Sequence, residues 1–378
     1  MLGSLPVTGP LGPATISDDV LAEIVGLALG HPARIGSWRV QPVPYEPGSP
    51  ATGALMRVVG TTVDGQPWSL FVKVLQHPRH WPLLHLLPPE TQQEFSDTFP
   101  WRAELVAWEP AFAGRLPAGM RVPRRYRLDE LPDDRVAIWM EDVRTADAPW
   151  DLGRFRQAAR LLGGLAALRS DTAVLATSQL PAGYGLRRYH ERNLYDAFPM
   201  LERDDVWAHP LLASDNGRLR ADLAALAPRT GVILDRLDQL PQALPHGDAS
   251  PQNLLVPADQ PDTLVAIDVS FQCPLAVGFD LGQLLVGLVH AGELPAKSLP
   301  EVHAVLVPSF LEGLQEHGGH ATAAEVAEGY VGSLTIRSGF TSLPFERLAT
   351  DPTPALAKLF AERAALTRFI VDLGLALP

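Results

Sequence analysis

The residues with the clearest chemistry lie in one stretch, Leu244-Pro245-His246-Gly247-Asp248-Ala249-Ser250-Pro251-Gln252-Asn253-Leu254-Leu255, followed by Leu264-Val265-Ala266-Ile267-Asp268. The first segment reads as a loop that offers a carboxylate and an amide five residues apart; the second is a short apolar strand ending in another carboxylate. Transfer of a phosphoryl group calls for these parts. A carboxylate orients a hydroxyl and accepts its proton, and hard oxygen ligands hold the magnesium that bridges the phosphates. Taken singly, each residue would be a surface turn or a strand-end cap. The spacing of the whole set between apolar strands is what carries information.

Elements on both sides must hold that loop. Apolar residues at Val20, Leu21, Ile24, Val25 and Ala28 behind Ser17 and Asp18 predict a helix over 16–29. The texture then turns to short β-rich runs over 38–43, 55–62 and 68–75, with Asp64-Gly65 between the last two as a hairpin signal. An antiparallel sheet is expected there. An amphipathic helix is predicted over 100–112 and a further strand over 135–140. Beyond Asp151, a possible cap, the pattern becomes helical, with 219–240 (interrupted at Pro228) and 322–338 the clearest stretches.

The loop and the strand after it closely resemble the aminoglycoside phosphotransferase family, kinase-fold enzymes with a His-Gly-Asp, four residues, Asn motif and a next strand ending in Ile-Asp. The resemblance implies that Asp248 is the catalytic base, that Asn253 and Asp268 are metal ligands, and that ATP and Mg2+ are co-substrate and cofactor. Gly278-Phe279-Asp280-Leu281 matches a further family feature. It implies that Asp280 steadies the catalytic loop from behind, with His246 beside it. One departure is visible, because many relatives follow the metal-binding Asp with Trp and an acidic residue, whereas this chain has Val269, Ser270 and Phe271.

Kinases hold the α- and β-phosphates with a strand lysine paired to a glutamate on the following helix. Lys73, within Ser69-Leu70-Phe71-Val72-Lys73-Val74-Leu75, suits that lysine, and Glu104 suits its partner, with Glu94 and Glu109 as rivals. Residues 45–54 are the candidate phosphate-covering loop, although they lack a Gly-x-Gly-x-x-Gly pattern and an ordinary hairpin loop accounts for them almost equally well. By the same resemblance Met140, Glu141 and Asp142 form the hinge beside adenine. His77, His80 and His85 fall in a long connection over 76–99; without Cys or acidic partners they read as loop histidines and not as a metal site.

Length and charge bound the rest. The 378 residues exceed what one core usually organises. The resemblance implies an α+β, bilobal protein-kinase-like fold, with a small β-rich N-lobe over 1–141 and a larger helical C-lobe over 142–378. A formal charge of −12 without a basic run argues against a nucleic-acid partner or an anionic membrane surface. The single Cys273, the absence of a leader-like start over 1–19 and of a long apolar run predict a cytoplasmic protein with no membrane partner. The expected reaction is ATP-dependent O-phosphorylation of a small-molecule hydroxyl acceptor, an aminoglycoside, amino sugar or related sugar. The alternatives are a kinase-fold nucleotide-binding protein without turnover and a Ser/Thr protein kinase; the missing Asp-Phe-Gly and Ala-Pro-Glu segments speak against the latter. Oligomeric state is not legible.

Overall fold

The computed structural model describes residues 11–44, 48–213 and 216–378. The chain forms two compact units, Met1–Trp108 with Val122–Arg144, and Glu109–Arg121 with Thr145–Pro378. Its strands are β1 (Ile35–Pro42), β2 (Thr52–Thr62), β3 (Pro67–Gln76), β4 (Met120–Arg121), β5 (Arg125–Leu131), β6 (Arg135–Glu141), β7 (Gln242–Ala243), β8 (Leu254–Leu255), β9 (Leu264–Ala266) and β10 (Leu275–Ala276).

In the first unit β1, β2, β3, β6 and β5 form, in that order, a five-stranded sheet whose neighbours are all antiparallel. Val63-Asp64-Gly65-Gln66 turns β2 into β3, with Gly65 at φ +86°, a conformation that suits glycine. Alternation then sorts the side chains of the central strands. Leu70, Val72, Val74, Ala137 and Trp139 pack with Leu21, Ile24 and Val25 of the helix Asp18–Leu29. That helix starts on a Ser17 side-chain cap to the Val20 amide and stops at Gly30 in the left-handed region. Leu75, Val136, Ile138 and Met140 face the other way, against Phe71, Trp101, Leu105 and Trp108. Lys73 belongs to this second face by strand parity.

The helix expected over 100–112 is not continuous. A 3-10 stretch Ala103–Trp108 is followed by a one-turn helix Pro110–Ala113, because Pro110 supplies no amide hydrogen and drives Glu109 into extended backbone at ψ 147°. The longer helix of this region is Pro89–Thr98, in the connection read as a loop. Proline at its first position starts it, and only a few apolar residues give it periodicity. Trp81, Phe95 and Phe99 stack along it with centroid spacings of 5.9 and 5.2 Å.

The second unit is mainly helical. Leu152–Leu168, capped by Asp151, lies against Leu299–Glu316 so closely that a Cβ on Gly163 would meet the Phe310 carbonyl at 1.9 Å. Asn216–Leu226 and Thr230–Leu237 are separated by a 3-10 turn containing Pro228, as the sequence suggests. Ala323–Ser338 begins with a complete capping box from Thr322 and Glu325. Among these helices sit a three-stranded sheet, β4-β9-β8, in which β4 runs parallel to β9, and the pair β7-β10. No helix among the described residues is long and apolar enough to cross a membrane.

Candidate active site

The catalytic-loop candidate lies in the second unit, between β7 and the short strands β8 and β9. Leu254 pairs with Ala266, and the Ile267 amide donates to the Asn253 carbonyl at 3.0 Å, so Asn253 and Asp268 stand side by side where the ladder ends. The Ser270 amide donates to the His246 carbonyl at 2.9 Å and ties the segment after Asp268 to the one before Asp248. Gly247 at φ +96° makes this approach possible, since a Cβ there would lie 2.0 Å from the Ser270 carbonyl oxygen.

Both oxygens of Asp248 are held. Asn253 Nδ2 donates to Oδ2 at 3.0 Å and to the Asp248 carbonyl at 2.9 Å, while Arg337 Nη2 donates to Oδ1 at 2.6 Å. With its nitrogen committed, the amide of Asn253 leaves Oδ1 as the atom able to take a cation. Asp268 adopts φ +53°, a backbone that non-glycine residues seldom hold and that clusters at working sites. An amide oxygen and a carboxylate are hard donors. They fit a magnesium that draws its remaining ligands from water and substrate phosphates, and no set of three or more His, Cys, Asp or Glu side chains forms a closed metal cage among the described residues.

Asp280 lies behind the loop at the head of the helix Leu281–Ala291, accepting the His246 amide on Oδ2 and the Gly247 amide on Oδ1, both at 2.9 Å. Burial pushes its carboxyl up, while His246, the two amides and Arg337 pull the other way. His246 is fully buried, and burial lowers its pKa against the pull of Asp280, Asp248 and Asp268. Its Nδ1 accepts the Asp248 amide at 3.2 Å, which places the ring proton on Nε2.

Three further residues complete the scaffold. Arg169 donates to the Leu244 and Pro245 carbonyls at 3.0 and 3.2 Å and to Gln272 Oε1 at 2.9 Å, with its guanidinium 4.4 Å from the Phe112 ring centroid. Burial brings its pKa down to about 10. Gln272 in turn donates to the Pro245 and Ser270 carbonyls at 2.9 and 2.8 Å. Arg337, on Ala323–Ser338, also donates to the Gly247 carbonyl at 2.7 Å. None of the three carries a local signal, because their bonds to the segment 244–248 reach across 27 to 90 residues of sequence.

In the first unit Lys73 Nζ lies 2.6 Å from Glu104 Oε2, with the side chains 8% and 15% exposed. The rivals Glu94 and Glu109 do not make this pair. Met140 is buried and registers with Phe71 and Arg125; Glu141 donates its amide to the Arg124 carbonyl at 2.9 Å and accepts the Arg124 amide on its side chain at 3.0 Å. Asp142 is held by Arg57 Nε at 2.8 and 2.9 Å. Within the proposed phosphate loop, residues 45–47 lie outside the described residues, and Ser49 accepts the Ala51 amide at 3.3 Å.

No protein-family model matches the chain, and no curated protein sequence matches it. Solved structures do. An aminoglycoside phosphotransferase from Alicyclobacillus acidocaldarius shares 14% identity over 89% of this chain and 93% of that one, with a TM-score of 0.50. A spectinomycin phosphotransferase solved with ADP and spectinomycin gives 12% identity over 96% and 98% of the two chains at TM-score 0.49. An amicoumacin kinase solved with AMP-PNP and Ca2+ gives 14% identity over 94% and 96%, also at 0.49. At such identities likeness speaks of architecture, and the first of these carries it: the chain has the α+β, protein-kinase-like fold of an aminoglycoside phosphotransferase.

Proposed function

We propose that this protein is an ATP-dependent O-phosphotransferase that moves the γ-phosphate to a hydroxyl of a small molecule, an aminoglycoside, amino sugar or related sugar. The observation that carries the reading is Asp248, a carboxylate fixed through both oxygens, beside Asn253 and Asp268 at a strand end. In this reading Asp248 orients the acceptor hydroxyl and takes its proton as the P–O bond forms. Asn253 Oδ1 and Asp268 would hold magnesium, which when bound neutralises charge on the phosphates. Lys73, paired with Glu104, would position the α- and β-phosphates.

Asp204 and Asp205, acids that would suit a cationic acceptor, are engaged by Arg220 and Arg203.

The test is ADP release over a panel of aminoglycosides, amino sugars, neutral sugars, choline-like alcohols, homoserine and peptides, for the wild type and Asp248→Asn. Acceptor-dependent turnover that drops at least about a hundredfold in Asp248→Asn with nucleotide affinity retained is expected. Nucleotide binding without turnover on any acceptor would favour the non-catalytic reading, and turnover confined to peptides would make it a protein kinase.

A further inference from the structure

Arg337 is a buried cation of the second unit, enclosed by aromatic rings. Its side chain is 11% exposed, and its guanidinium lies 5.2 Å from the Phe271 ring centroid, 5.4 Å from Tyr189 and 5.8 Å from Phe279. Those faces give it cation–π partners and shield it from water. The two terminal nitrogens point to different acceptors, Nη1 to the Gly247 carbonyl at 2.7 Å and Nη2 to Asp248 Oδ1 at 2.6 Å. Burial works against its charge, yet Tyr189, Asp248 and Asp280 outweigh burial and hold the guanidinium pKa above its usual value.

The rings have their own reason to be there. Phe271 lies three residues after Asp268, and it adopts φ +45°, a costly backbone for an aromatic residue. It packs 5.7 Å from Tyr189 and 6.3 Å from Phe279. Gly185 leaves it room, because a Cβ there would come within 2.4 Å of the ring. A strained phenylalanine, a glycine on Tyr184–Arg192 and a tyrosine on that same helix thus share one evident product, the seat of the Arg337 guanidinium.

We infer that Arg337 is a positioning residue for the proposed phosphoryl transfer: a guanidinium clamp from the helix Ala323–Ser338 that fixes the rotation of the Asp248 carboxylate and the path of the backbone leading into it. The inference rests on Asp248 being the residue that orients the hydroxyl. Asn253 holds one oxygen of that carboxylate and Arg337 the other, so the carboxylate cannot turn about its last bond without breaking a charge-assisted hydrogen bond. Each oxygen keeps a lone pair for the acceptor. Lysine replaces this arrangement only in part, since one ammonium on a flexible stem does not hold two acceptors in a fixed plane.

The test uses the full chain with Arg337→Met, Arg337→Lys and Arg337→Ala. Misplacing a reacting group by about 1 Å costs on the order of a hundredfold in rate. Arg337→Met is therefore expected to lose about that much kcat with the KM for ATP unchanged, Arg337→Lys to recover part of it, and Arg337→Ala to be partly rescued by guanidinium chloride at sub-denaturing concentration. Amide hydrogen exchange without substrate gives an independent reading: in Arg337→Met protection should fall at 246–253 and hold elsewhere in the second unit. Wild-type kcat in Arg337→Met, or protection lost evenly across the unit, overturns the clamp. If the wild type phosphorylates no acceptor, the kinase reading fails, and the exchange pattern still decides whether Arg337 holds the loop. Arg337→Lys keeps the charge and serves if the methionine variant does not fold.

Discussion

Gly247 and the Ser270 carbonyl are in backbone contact: the loop that carries Asp248 has no room for a methyl group on the side facing the segment after Asp268. Gly247→Ala would add a Cβ at 2.0 Å from that oxygen and force an alanine to φ +96°. Strain of this kind costs about 1–3 kcal/mol even without the clash. We expect a lower urea midpoint and a turnover loss larger than the loss of folded protein. An alanine variant with wild-type midpoint and kcat would mean that the loop relaxes freely.

Asp280 satisfies two buried amides with one carboxylate. Asp280→Asn keeps the shape but presents an NH2 to one of those amides, leaving a buried donor without an acceptor. A loss of about 1–3 kcal/mol in denaturant unfolding is expected. Loop exchange protection at His246 and Gly247 should fall with it, and unchanged stability would show that the two amides find other acceptors.

For Lys73 and Glu104 the prediction is non-additivity. Removing one partner of this largely buried pair is expected to destabilise the fold, and removing both is not expected to cost the sum of the two losses. Lys73→Met, Glu104→Gln and the double variant, compared by urea unfolding and ATP titration, close the cycle. Two full losses that simply add would mean that the pair is not a unit.

His290 is expected to contribute to the pH dependence of stability. Its ring faces Ser342 at 3.1 Å and Arg363 at 2.6 Å, and burial, then Arg363 and Arg337, lower its pKa from 6.5 to about 4. The unfolded chain therefore protonates this ring at a pH where the folded protein does not. The contribution is complete above pH 6.5, declines as pH falls towards 4 and is flat below, on the order of 3 kcal/mol in all. Stability measured from pH 7 to 4 should fall more steeply in the wild type than in His290→Asn. Parallel curves would remove the ring from the account.

What could be read from the sequence was local. Asp248, Asn253 and Asp268 declare themselves through spacing, and Asp64-Gly65 with alternating apolar residues announces β2 and β3. Glu104 was reachable as a partner for Lys73 although its predicted helix is a 3-10 stretch, because the pairing calls only for a glutamate on the element that follows the lysine strand. Pro110 was the overlooked stop signal, and Pro89 the overlooked start. Arg337 was out of reach for another reason. Its helix is buried on most sides, with Gly329, Tyr330, Val331, Gly332 and Ser333 in succession, so no polar face marks where the arginine points. Arg169 and Gln272 act on carbonyl oxygens, which every residue has and no motif can reveal.

The strand β4 has a consequence for how the protein is made. Met120 and Arg121 are translated amid the first unit's strands, yet their ladder partners are Leu264 and Val265. The growing chain must therefore carry an unpaired strand through the synthesis of about half of the second unit, and the sheet beside Asn253 and Asp268 closes late. Contacts of such separation slow folding. A fragment beginning at Thr145 would never possess that strand and would leave the edge of β9 open to pairing with another chain.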